Sequence, residues 1–153
     1  MQKIGGIDFD ARGLIHLAAK QFPIAFPERV EKIAVNRKCA AIHFLHGATS
    51  SASSETKLAT FRLHFQNGEA TDVPIVYGKD VKCRWFDRND KSELADPKPA
   101  WISPADKIGR MGKSLRLYVS SWRSNEAPSD VASIDFISNM AESAPFLLAI
   151  TVE

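Results

Sequence analysis

The sequence predicts an all-β fold, an antiparallel sandwich of two sheets, and three observations carry that prediction. Apolar residues recur at every second position along most of the chain, the period of a strand with one buried face. These runs are short and are separated by Gly, Pro, Asn and Ser. No stretch carries the i, i+3, i+4 pattern of a long amphipathic helix. About eight such runs fit one jelly-roll domain over residues 1–153, open to having been excised from a longer protein.

In chain order, "GLIHLA", "VEKIAV" and "CAAIHFLHG" read as the first strands. In "LATFRLHF", Ala59, Phe61, Leu63 and Phe65 alternate with Thr60, Arg62 and His64, the pattern of a half-buried strand. "QNGE" turns the chain and "ATDVPIVYG" runs back. A two-residue turn at Asn67-Gly68 would set Arg62 opposite Val73, putting the two apolar stripes on opposite faces. A three-residue loop with Gly68 left-handed in a bulge instead sets Phe61 opposite Val73 and Ala59 opposite Ile75, and this register is the expected one. Residues 86–113 are charged, proline-containing and loop-dominated. Three strands follow: "SLRLYVSSW" with Leu115, Leu117 and Val119 inward, "VASIDFIS" with Ala132, Ile134 and Phe136, and "FLLAITV" with Phe146, Leu148, Ile150 and Val152. "SNMAESAP" is expected to add one short helical turn.

Composition excludes several classes of function. Twenty basic and eighteen acidic residues leave a net charge of +2, spread along the chain, so nothing favours nucleic acid as a partner. No apolar run approaches a membrane span, so no membrane insertion is expected. The N-terminal "MQKIGGIDFD" lacks a signal-peptide pattern, which fits either a cytoplasmic protein or one domain of a longer, exported chain. Cys39 and Cys83 are too few for a disulfide framework and read as two thiols.

His43 and His46 in "AIHFLHG" invite a metal reading, but residues three apart on a strand point to opposite faces. Cys39 and His43 share a face yet are separated by about 13 Å of strand. No metal site is assigned. His43 reads as a hydrogen-bonded buried histidine, whereas His46 ends its strand before the small polar "GATSSASS" loop and joins the candidate ligand residues. In "DRNDKSELAD", Asp87, Asn89 and Asp90 offer oxygen ligands, but the calcium-loop spacing and its Gly are missing, which disfavours a structural calcium. No other cofactor is expected. The chain also lacks a Gly-x-Ser-x-Gly elbow, a P-loop and a His-Glu-x-x-His motif, so a non-enzyme is expected.

"NRKCAAIHFLHG", "VPIVYGKDVKCRWF", "KSLRLYVSSW" and "SAPFLLAITVE" together resemble an uncharacterised domain of planctomycete and related bacterial proteins, over residues 7–153. The resemblance implies a galactose-binding-like jelly roll of the kind used by carbohydrate-binding modules, and with it an extracytoplasmic setting. After Tyr-Gly the family pattern continues acidic, Asp, Val, basic, Asp, Trp, Trp. Here Asp80, Val81 and Lys82 fit; Lys79 replaces the acidic residue, Cys83 the Asp and Arg84 the first Trp, so only Trp85 keeps the aromatic pair.

Sugars present C–H faces that stack on aromatic rings and hydroxyls that seek planar polar groups. Trp85 with Arg84, Asp80 and Tyr77 supplies those types within a short stretch. Trp101, Trp122 and His46 are expected to frame the same end of the sandwich. The sequence thus points to a non-catalytic module binding an oligosaccharide or glycan through end loops. The alternatives are a protein–protein interaction or structural domain, with another protein domain as partner and its rings in core or interface, and a small glycoside-acting hydrolase.

Overall fold

The structure, a computed structural model, is described for residues 1–21, 26–105, 112–125 and 128–153. The chain forms β1 (Gln2–Ile4), β2 (Ile7–Phe9), β3 (Ile15–His16), β4 (Arg29–Cys39), β5 (Ala41–Ala48), β6 (Lys57–Phe65) and β7 (Ala70–Val76). The second half contributes β8 (Trp85–Phe86), β9 (Trp101–Ile102), β10 (Ser114–Arg123), β11 (Ser129–Ser138) and β12 (Pro145–Val152). One sheet runs β3-β12-β5-β10-β8 with β9 also on β10, and the other runs β4-β11-β6-β7. Pairing between named strands is antiparallel throughout, as expected for an antiparallel sandwich.

The core lies between the sheets. Ile42, Phe44, Tyr118 and Leu147 of one sheet meet Phe61, Leu63, Ile134 and Phe136 of the other. Phe61 is held between Phe44, at 3.9 Å, and Phe136, at 4.6 Å, with the ring planes nearly parallel. A second apolar cluster covers the outer face of the first sheet. There the β1–β2 hairpin brings Ile4 and Phe9 onto Leu45 and Ala149, with Leu117, Val119 and Trp101 at its margin. β5 is therefore buried along its whole length.

The expected hairpin forms in the expected register. Phe61 pairs with Val73 and Ala59 with Ile75, Phe65 N donates to Glu69 O, and Gly68 has φ +89°. Other expectations need correction. Residues 39–47 are not one strand: Cys39 ends β4 in one sheet and Ala41 begins β5 in the other, so the chain crosses the sandwich at Ala40. On β10 the inward face carries Ser114, Arg116 and Tyr118, while Leu115, Leu117 and Val119 are half-buried on the other side. Alternation alone cannot label the faces of a sheet that is covered on both.

Bulges account for two further shifts. Between Val131 and Ser133, β11 holds one residue more than β6, so Val131 rather than Ala132 turns inward. Between Leu147 and Ala149, β12 holds one more than β5, so Leu147 and Ile150 join the main core and Leu148 the outer cluster. The segment "SNMAESAP" forms no helical turn; a 3₁₀ helix forms instead at Lys91–Leu94, capped by Asp90, whose side chain accepts from Ser92 N.

Two glycine substitutions test this account. Gly68 has open space around the position of a Cβ, so Gly68→Ala meets only the backbone penalty of the left-handed region. It is expected to lower stability by about 1 kcal/mol in urea denaturation. At Gly47 the backbone is ordinary, but an added Cβ would collide with Phe146 Cζ, whose ring lies across the glycine. Gly47→Ala should cost about 1–3 kcal/mol or more, because a packed ring must move. A smaller loss than that of Gly68→Ala would contradict the packing.

Candidate functional site

A groove of about 650 Å³ opens at the end of the sandwich where β5 runs into the "GATSSASS" loop. The two walls are joined by a bridge between Ala48 and Cys83 and by Arg84 N donating to Ala48 O. Thr49, Ser50, Ser51 and Ser54 line one wall and the rings of Tyr77 and Trp85 the other. Thr49 Oγ1 is spent on the Ala144 backbone and Ser50 Oγ is buried, so the exposed hydroxyls of that wall are those of Ser51 and Ser54. Trp85 is half-buried and belongs to neither apolar cluster, whereas Tyr77 packs partly on the main core. The Tyr77 hydroxyl accepts from Cys83 N at 3.3 Å, which fixes its ring against the turn that leads to Trp85. Charged residues complete the lining, with Lys82, Lys113 and Arg116 set against Asp87, Asp90 and Glu93.

Arg116 organises this end of the molecule. It is 1% exposed, on the inward face of β10. Its Nε donates to Cys83 O at 2.8 Å, one terminal nitrogen donates to Glu93 O, and the other reaches Glu93 Oε2 at 2.7 Å. Its guanidinium carbon lies 4.9 Å from the centre of the Phe86 ring. A buried cation is tolerated only when its donors are satisfied, and here backbone and carboxylate oxygens accept from each of its three nitrogens. Arg88 adds a second tether, with Nε donating to Ser114 Oγ at 3.1 Å and Nη2 to Ser103 O. The charged segment that reads as loop is thus pinned to β10 from both sides.

The candidate residues divide between several places. Tyr77 and Trp85 share the groove. Arg84 does not line the groove; its guanidinium lies over the Trp85 ring at 5.8 Å and over Phe146 at 5.9 Å, so it backs the indole rather than reaching into the concavity. Asp80 spends its carboxylate on its own turn, accepting from Val76 N at 2.9 Å. Trp101 pairs with Leu117 and packs on the outer cluster. Trp122 pairs with Ile42 at the start of β5, roughly 20 Å along the strand from Ala48. There it contacts Phe65 at 5.8 Å and borders a separate concavity of about 870 Å³. Tyr77 and Trp85 therefore frame one end, and Trp101 and Trp122 do not join them.

His46 also lies away from the groove. It is 2% exposed on the core side of β5, with Nε2 and Ser120 Oγ sharing a hydrogen bond of 2.8 Å. His43 faces the other way, sharing a 2.6 Å hydrogen bond with Ser121 Oγ, and its Nε2 lies 3.4 Å from Glu153 Oε2. The two rings occupy opposite faces and have no common ligand position. Asp87 and Asp90 use their carboxylates on the backbone N–H groups of Asn89 and Ser92. Among the described residues no group of three or more His, Cys, Asp or Glu is placed to hold a metal. Cys39 and Cys83 are free thiols, and burial pushes Cys39 up.

Arg116 and Glu93 were not legible as site residues. In "SLRLYV" an arginine between leucines reads as the solvent face of a strand, and nothing local signals that it points inward. The hydroxyl-rich loop was legible at residues 49–54, but Gly47 and Ala48, read with it as loop, are the buried end of β5. No family model, curated protein or solved structure matches this chain. Among the described residues no helix is long and apolar enough to cross a membrane.

Burial pushes His46 down to about 3. The unfolded chain takes up a proton near pH 6.5 that the folded chain refuses, so stability is full above that pH and falls as pH drops. The loss is roughly 1.4 kcal/mol per pH unit until about pH 3. His16, also pushed down by burial, acts in the same direction. Urea denaturation at pH 7 and pH 5 should differ by about 2 kcal/mol in the native chain. His46→Gln, which keeps a donor and acceptor near Ser120, should remove most of that difference.

Proposed function

We propose that this chain is a non-catalytic carbohydrate-binding module of jelly-roll type that takes a glycan in the groove between Ser51 and Ser54 on one side and Trp85 on the other. The observation that carries the reading is the placing of Trp85. It is a half-buried ring outside both apolar clusters, facing a groove whose opposite wall carries the exposed serines Ser51 and Ser54. An indole excluded from the core and set opposite hydrogen-bonding groups suits a ligand with an apolar face and a polar rim, which describes a pyranose ring. The chain's repeated crossing between the sheets, as at Ala40, suits the jelly-roll form of the reading.

Affinity on this reading is weak. One stacked ring with solvent-competed hydrogen bonds gives about millimolar to high-micromolar dissociation constants. The alternative, a protein-interaction or structural domain, makes the opposite forecast for one substitution. Trp85→Ala should abolish glycan binding while lowering stability by less than about 1.5 kcal/mol, because the ring is outside the core clusters. Titration of an oligosaccharide panel followed by tryptophan fluorescence, with a melting curve of the variant, measures both. No binding by the native chain, together with a loss of about 3–5 kcal/mol in the variant, would leave the interaction-domain reading standing.

A further inference from the structure

We propose that Glu93 is a direct ligand contact in this groove, that buried Arg116 is the positioning residue that holds it there, and that the ligand is a neutral glycan presenting hydroxyl donors to the carboxylate. The inference rests on the glycan reading and deepens it. Glu93 ends a side chain that is 39% exposed and lines the groove with Trp85. Its Oε2 is taken by Arg116 at 2.7 Å and its carbonyl by the same guanidinium. Its Oε1 has no protein partner among the described residues. A carboxylate gripped on one oxygen and open on the other is a pre-oriented acceptor, and ordering it adds no entropic cost at the moment of binding.

Arg116 itself is not offered to the ligand. Its Nε and both terminal nitrogens are engaged on Cys83 O and on Glu93, and its face lies against Phe86. Through the Cys83 carbonyl it also holds the segment that carries Trp85, so one buried side chain sets the spacing between the stacking ring and the acceptor. The ligand's charge follows from the lining. Among the described residues three basic side chains face three acidic ones, so this lining carries no net formal charge and gives an anionic sugar no advantage.

The test uses neutral gluco-, manno- and galacto-oligosaccharides beside oligouronates, titrated into the native chain and into Glu93→Gln at two salt concentrations. Glu93→Gln keeps an acceptor for Arg116 but replaces the charged acceptor in the groove with an amide. The expected result is neutral-sugar binding that does not change with salt and weakens about tenfold or more in Glu93→Gln with little change in melting temperature. A purely structural role predicts the reverse, a lowered melting temperature with unchanged affinity, and that result would overturn the inference while leaving the glycan reading intact. Tighter, salt-sensitive binding of oligouronates would overturn the neutral-ligand part. No binding of any sugar by the native chain would overturn the glycan reading and this inference with it. Should Glu93→Gln fail to fold, the Arg116 Nε–H resonance of the native chain is followed during titration. It should shift as the ligand engages Glu93, and a resonance unmoved at saturation would refute the contact.

Discussion

The two-sided burial of β5 is the constraint on which the rest of the molecule depends. All eight of its residues are buried, so water can satisfy none of its backbone groups. β10 on one side and β12 on the other complete its ladder. One of its faces needs the second sheet, delivered through Phe44 on Phe61, and its other face needs the β1–β2 hairpin, delivered through Phe9 and Leu45. Where β5 has no side chain, at Gly47, the Phe146 ring of the neighbouring strand lies over the gap. The short strands β3, β8 and β9 are consequences of this arrangement, closing the borders of a sheet whose centre is already fixed.

The second sheet meets a different problem, since both of its edge strands face solvent. Each edge is disrupted in its own way. β4 carries Lys32 and Asn36 at positive φ, and each accompanies a bulge against β11. The Lys32 N–H freed by one bulge donates to Asp135 Oδ1 at 2.8 Å, while Oδ2 of the same carboxylate meets His64 Nε2 at 2.7 Å. These contacts hold the Asp135 carboxyl below its usual range despite partial burial. At the other edge Pro74 of β7 has no N–H to offer. Neither edge presents a long, regular row of donors and acceptors to a second chain.

Arg116 connects the fold to the proposed glycan groove. A cation on the inward face of a central strand is costly to desolvate, and its partners offset that cost only because three segments converge on it. Cys83, Glu93 and Phe86 belong to the loop-rich stretch between β7 and β9, which has little apolar content of its own to hold it in place. The guanidinium and the apolar core therefore do different work. The core sets the distance between the sheets, and Arg116 sets the shape of the concavity beyond their end. That division explains why a loop rich in charge can still present a defined lining.

What the sequence determined by itself was local. The period-two pattern specified strands, and the Gln66-Asn67-Gly68 loop with its flanking apolar stripes specified the β6–β7 register residue by residue, because the partners are neighbours in the chain. Of the polar "GATSSASS" run, residues 49–54 were recognisable as loop from their composition, whereas Gly47 and Ala48 complete β5. Tertiary structure decided what alternation cannot encode. It turned Arg116 and Tyr118 of β10 inward and Leu117 and Val119 outward, since both sides of that sheet are covered and both accept apolar residues. It also separated the tryptophans, setting Trp85 beside Glu93 and Trp122 roughly 20 Å away along β5. Those placements follow from pairings between distant segments, Ala48 with Cys83 and Arg116 with Glu93, whose energies exist only once the sheets have assembled.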